Sequence, residues 1–229
     1  MSIFSVVATP IGNLEDITLR ALVVLKKADL ILCEDTRMTK RLLDHHQIVT
    51  PTMSYHTHSK LSRKEEIVSM LCEGKNIALV SDAGTPGISD PGIELVKYLR
   101  QELSLELIDG SLKMESIPGP SALTASIAIA GVPCSDFTFL GFLPHKKGRE
   151  TLFKEISISE RTMIFYESPH RIMKTLESLI VHCPEKKIAI CRELTKIYEE
   201  VVAGTALEVK NYFEKNAEKI KGEFVVLVS

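Results

Sequence analysis

The residues of this chain best suited to chemistry fall in short strings that each follow an apolar run. "CEDTR" places Glu34, Asp35 and Arg37 after "DLIL"; "YESPHR" places Glu167 and Arg171 after "RTMIF"; "CRELTKIYEE" places Arg192 among acids after "KKIAI". A carboxylate at such a position can take a proton and a guanidinium can hold an anion, although the two can also simply pair and tie the loop. Between them lies "VSDAGTPGISDPG" (80–92), with Gly84, Gly87, Gly92, Pro86, Pro91, Asp82 and Asp90 where a plain connection needs only a few residues. Glycine admits positive φ and a close ligand, and proline stiffens what remains. "TPIGN" (9–13) and "IPGPSA" (117–122) are two more turns of this kind. Three such turns after strands point to a site beyond the strands' carboxyl ends.

The absent motifs narrow the ligand. Neither the G-x-G-x-x-G fingerprint nor G-x-x-x-x-G-K-[ST] occurs, which argues against a dinucleotide or a nucleoside triphosphate. A ligand without phosphates, polar at its ends and aromatic or cationic in the middle, fits better. "YHTH" offers His56 and His58 with no third ligand at useful spacing, so no metal is expected. No G-x-S-x-G elbow marks a serine nucleophile.

The elements that must position these residues alternate between β-rich runs and helical patterns, the mark of an α/β fold. Strands are expected at 3–8, 29–34, 52–56 and 76–81, with helices at 18–28, 36–45, from Ser62 to Gly74 through an S-x-x-E capping box, and after Asp90 with Pro91 in its first position. "NIALVS" is apolar throughout, as a parallel strand covered on both faces should be. "LELIDGSLKMESI" reads as strand, turn and strand, with a boundary near residue 113. Beyond it come a helix at 118–131, strands in "FTFLGF", "RTMIFYE", "KKIAICRE" and "GEFVVLVS", and helices near 148–157, 169–182 and 205–215. Two α/β domains follow, 1–113 with a parallel sheet and 114–229 with a mixed one, and a ligand is expected in the cleft between them.

Composition sets outer limits. The 229 residues are 45% hydrophobic and 25% charged, ordinary for a soluble globular protein. The longest apolar runs fall far short of the roughly 20 residues that span a bilayer. The start shows neither a basic leader nor a cleavage site, so a cytoplasmic protein is expected. Five cysteines without a CxxC pair read mainly as buried, reduced thiols. The net charge of -2 gives no global pull on nucleic acid. Any RNA contact must come from local patches, "PHKKGRE" (Lys146, Lys147, Arg149) and "RMTKR" (Arg37, Lys40, Arg41).

Together "VATPIGNLEDITLRAL", "EDTR", "LVSDAGTPGISDPG", "IPGPSA", "GFLPHKKGR", "FYESPHR" and "RELTK-YEE" resemble, in order and over nearly the whole chain, the ribosomal RNA small subunit methyltransferase I family. That family is a branch of the tetrapyrrole methylase-like class, which uses S-adenosylmethionine. The resemblance implies 2'-O-methylation of the ribose of a decoding-centre cytidine in 16S rRNA by a two-domain homodimer. It implies cofactor contacts from Pro10, from Asp82, Ala83, Gly84, Thr85 and Ile88, from Ser121 and Ala122, and from Tyr166. The proton acceptor is then Glu34, Asp35 or Glu167, and Arg37, Arg171 and Arg192 join Lys146, Lys147 and Arg149 as RNA contacts. Tetrapyrrole methylases carry Gly-Asp-Pro where this chain has Gly84-Thr85-Pro86, which favours the rRNA branch. Many members of that branch continue past the last strand into a small helical extension, whereas this sequence stops at Ser229. A corrin-precursor methylase and a cofactor-binding regulator without activity are the rival readings.

Overall fold

A computed structural model describes residues 1–56, 61–90 and 92–229; His58 and Pro91 lie outside them. The described residues fall into two compact units, 1–121 and 122–229.

In the first unit, strands β1 (Ser2–Val7), β2 (Leu30–Cys33), β3 (Thr52–Ser54), β4 (Ile77–Leu79) and β5 (Leu112–Ile117) form a five-stranded sheet in the order β3-β2-β4-β1-β5. Every pairing in it is parallel, so all carboxyl ends reach the same edge. Successive side chains alternate faces. Ile31 and Cys33 join one core with Leu25 of helix α1 (Leu19–Lys27) and Leu43 of α2 (Thr36–His45). Leu32 joins the other, with Ile67 of α3 (Leu61–Cys72) and Leu95 and Leu99 of α4 (Gly92–Glu102). The inner strands β2 and β4 are covered on both faces, which is why they read as unbroken apolar runs, whereas the edge strand β5 leaves Lys113 and Ser116 exposed.

The second unit holds a mixed sheet of β6 (Phe137–Phe142), β7 (Thr162–Glu167), β8 (Lys187–Arg192), β9 (Glu200–Thr205) and β10 (Phe224–Val228), in the order β6-β7-β10-β8-β9. β6 and β7 run parallel; β10 runs antiparallel to both β7 and β8, and β8 antiparallel to β9. Val226 of the central strand faces Phe165 on one side and Ile190 on the other. Helices α7 (Arg149–Ile158), α8 (Ile172–His182) and α9 (Ala206–Lys215) supply Phe153, Leu176, Leu179, Val209 and Phe213 to a single core with β7, β8 and β10. Helix α6 (Ala122–Ile129) is reached by the Cys191 thiol, which donates to the Ser126 carbonyl at 3.8 Å. Thr205 and Glu208 form the expected capping box of α9.

Four local expectations change. "SLELID" is a helix, α5 (Ser104–Asp109), closed by Gly110 at φ 80°, and not a strand. Short runs such as L-E-L-I suit either period, and here Leu107 turns to the core while Leu105 and Ile108 stay exposed. The first compact unit therefore runs to Ser121 and not to residue 113, because β5 pairs with β1 along its whole length. Ser62 does not cap α3, since that helix already includes Leu61. Strand β9 carried no clear signal: it is an edge strand with alternating exposure and a glycine near its end.

Candidate functional site

The shared carboxyl edge of the first sheet gathers the three glycine-proline turns, and hydrogen bonds stitch them together. After β1, Thr9 N–H donates to the Gly84 carbonyl at 2.9 Å, and Gly84 N–H returns to the Thr9 carbonyl at 3.0 Å. The buried Thr9 hydroxyl donates to the Ser81 carbonyl at 3.2 Å, and Ser81 Oγ reaches the Ala83 and Gly84 carbonyls at 3.3 Å each. The turn after β4 is joined to the one after β5 by Thr85, whose hydroxyl donates to the Pro120 carbonyl at 3.0 Å. An aspartate in that position, as in Gly-Asp-Pro, would set an acceptor against an acceptor.

Gly84 adopts φ 79°, and a Cβ there would come within 3.3 Å of Ile11 and 3.7 Å of the Pro120 carbonyl. A Cβ on Gly119 would meet that of Ala8 at 3.1 Å. These two glycines are required by close backbone approach as much as by dihedral freedom. Farther along, Asp90 Oδ1 accepts from Gly87 and Gly92 N–H at 2.8 Å each, closing the rest of the long loop. Asp82, Ala83 and Gly87 remain exposed, Thr85, Ile88 and Ala122 are half-buried, and Pro10 and Ser121 are buried.

Glu34 and Asp35 leave β2 at the same edge but have different surroundings. Asp35 caps α2: its carboxylate accepts from Arg37 N–H at 2.8 Å and from the Arg37 guanidinium at 2.6 Å. Those bonds hold its carboxyl down to about 2. A group so acidic and already paired is a poor proton acceptor. Glu34 is half-buried, and burial first, then the charges of Asp82 and Asp90, push its carboxyl above the usual range. Asp82 also accepts from Asp35 N–H at 2.9 Å, which ties the long loop to β2.

The other singled-out residues belong to the second unit. Glu167, 1% exposed, ends β7 with both carboxylate oxygens engaged. Oε1 accepts from Arg171 at 2.7 Å and from Ser168 N–H at 2.9 Å; Oε2 accepts from Thr175 at 2.7 Å and from Arg149 at 3.2 Å. The same arginines reach back to the chain, Arg149 to the Pro144 carbonyl at 3.1 Å and Arg171 to that of Leu143 at 2.9 Å. Glu167, expected as a candidate base, is engaged here as a brace, and Arg149 and Arg171, expected at RNA phosphate, fasten the loop after β6. Arg192 is likewise buried, with Nε 3.4 Å from Glu200. Arg37 is exposed but spent on Asp35, whereas Lys146 and Lys147 stand in solvent. Tyr166 packs edge-on between Phe139 and Phe142, with centroids 4.9 and 5.4 Å away.

Thr9 and Thr175 carry hydrogen bonds at the centre of these networks, yet nothing in their local sequence announces them. Asp90 had a signal as a helix cap, but its hold on Gly87 depends on the fold of the whole loop. Among the described residues no His/Cys/Asp/Glu group is placed to hold a metal. Burial pushes the Cys191 thiol up to about 12, far from nucleophilic.

The family model of Tetrapyrrole (Corrin/Porphyrin) Methylases matches residues 4–210. A ribosomal RNA small subunit methyltransferase I of Halalkalibacterium halodurans is 46% identical over 223 residues, 97% of this chain and 74% of that one. The protein of the same name from Thermotoga maritima is 43% identical over 98% of this chain and 96% of its own. Among solved structures, the methyltransferase CobJ superposes with a TM-score of 0.69 at 20% identity, covering 100% of this chain and 94% of that one. Uroporphyrin-III C-methyltransferase from Thermus thermophilus, complexed with S-adenosyl homocysteine, gives 0.59 at 17% identity, covering 99% and 97%. At those identities the two structures speak for the fold. The chain belongs to the tetrapyrrole methylase family and, within it, to the ribosomal RNA small subunit methyltransferase I proteins.

Proposed function

We propose that this chain methylates the ribose 2'-hydroxyl of a decoding-centre cytidine in 16S rRNA, as a cytoplasmic homodimer acting on the small ribosomal subunit. As a family member it is an S-adenosylmethionine-dependent methyltransferase. The observation that carries the reading is the 46% identity that runs through 97% of the chain.

The residues at the sheet edge suit this cofactor. They offer the carboxylates of Asp82 and Asp90 on a loop shaped by the Thr85–Pro120 bond, a setting that favours a sulfonium and an ammonium over a pyrophosphate. Pro10, Asp82, Ala83, Gly84, Thr85, Ile88, Ser121 and Ala122 would hold it, with Tyr166 as a further contact. When bound, S-adenosylmethionine supplies an electrophilic methyl group. The chain's own work is to seat the ribose hydroxyl, keep water out and take up the hydroxyl proton. Alignment alone is worth effective molarities of roughly 10⁵ M or more, and a placed base adds about 10²–10⁴-fold. Glu34 is the carboxylate for that step, since its raised affinity for a proton matches the task and neither competitor is available. Presenting the sugar requires the target nucleotide to leave its stack.

The test is mass mapping of small-subunit rRNA after incubation with the protein and labelled S-adenosylmethionine, with a corrin precursor in parallel. Label on one cytidine ribose of the rRNA is the expected result. Label on the corrin alone, or on neither, overturns the reading.

A further inference from the structure

Beside the Glu167 brace, the end of β6 carries a feature that the methyl-transfer chemistry leaves unused. Phe142 is the last residue of β6 and is 57% exposed, a large apolar ring left in solvent. Its position is constructed. The β6–β7 register shifts between Phe139 and Phe142, and Gly141 takes φ 63°, so the strand end is turned. Bulges of this kind re-aim a side chain. Tyr166 meets Phe142 edge-on, at 63° between planes, and is itself backed by Phe139 at 68°. The three rings brace one another.

Three to five residues later the chain is basic. His145, Lys146 and Lys147 are all exposed, and neither lysine is in an ion pair among the described residues. The brace adds charge of the same sign, because the two guanidinium groups of Arg149 and Arg171 share the one carboxylate of Glu167. It also fixes the loop's root, since those guanidinium groups hold the Leu143 and Pro144 carbonyls directly after Phe142. A braced aromatic ring beside a positively charged loop is how proteins hold single-stranded nucleic acid, a base on the ring and phosphates on the cations. A second copy of the chain is a worse occupant, as a twofold contact at this face would set the lysines against each other.

We propose that the end of β6 is a platform for one unpaired RNA nucleotide, with Phe142 stacked on the base and Lys146 and Lys147 on the flanking phosphates. This rests on the proposed rRNA substrate and adds where that RNA is gripped.

The experiment is fluorescence anisotropy with a labelled single-stranded RNA oligonucleotide and its perfect duplex, with light scattering on each variant. Phe142→Ala should weaken single-strand binding roughly 5- to 150-fold, Phe142→Tyr should restore it, and the duplex should bind poorly in every case. Lys146→Ala with Lys147→Ala should flatten the salt dependence by about 1.4 in logarithmic slope, while Phe142→Ala leaves that slope alone. Wild-type protein that binds no single strand, equal affinity in Phe142→Ala, or a Phe142→Ala variant that changes mass in place of affinity would each overturn the platform. Methyl transfer to small-subunit rRNA, measured separately, decides the proposed function, so the two can fail independently.

Discussion

Glu34 stands at the end of β2 with Asp82 and Asp90 as its charged neighbours, and burial followed by those charges raises its carboxyl above the ordinary range. The neutral form is the one the fold favours. Its contribution to stability is therefore complete below the unfolded value and is lost as pH rises through the raised folded value. The proposed proton transfer needs the opposite, an ionised Glu34. Glu34→Gln should then raise Tm at pH 7 and lower kcat by about 10²–10⁴-fold, with cofactor affinity kept in calorimetry. The acid limb of the kcat–pH profile should move to lower pH in Asp90→Asn, because one repelling charge is gone. An unmoved limb together with full turnover in Glu34→Gln would remove Glu34 from the proton-accepting role. Asp35 behaves inversely: its lowered carboxyl contributes above the unfolded value and loses that contribution as pH falls toward about 2.

Loops are held by single bonds that bridge neighbouring strands, so one side chain can decide the shape of an element. Thr85→Val keeps the volume and removes the donor to the Pro120 carbonyl. A lost bond of this kind is worth about 1 kcal/mol, and the cofactor should bind several-fold more weakly while Tm falls by only a few degrees. Thr85→Ser should bind as the wild type does, which separates the hydroxyl from packing. In the second unit the decisive element is the loop after β6. Glu167→Ala leaves two half-buried guanidinium groups without their buried counter-charge, and urea unfolding should show a loss of about 3 kcal/mol. A loss below about 1 kcal/mol would show that the brace is not what fastens this loop.

The molecule is assembled from two sheets with separate apolar cores, one on each face of the parallel sheet and one shared by α7, α8 and α9. The last strand is central to the second sheet and wholly buried. A chain ending at Glu223 should therefore lose hydrogen-exchange protection throughout 122–223, while the amides of β1, β4 and β5 stay protected. Protection retained in β7 and β8 of that chain would count against a sheet organised around β10. The net charge of -2 also means that attraction to RNA is local. Salt should act on binding through the loop lysines, with no long-range pull from the molecule as a whole.

Hydrophobic period and turn chemistry are local, and they settled what depends on neighbours along the chain: an α/β protein, α2 at 36–45, the Thr205–Glu208 capping box, and three glycine-proline turns after strands. They failed where a short segment suits two periods, as in α5, and at the edge strand β9, which buries only one face. The roles of the charged residues depend on partners far away in sequence, which no local pattern records. Glu34, Asp35 and Glu167 look alike as letters. Only the tertiary structure sets one beside two repelling carboxylates, spends the second on Arg37, and buries the third between arginines that arrive from α7 and from the turn before α8.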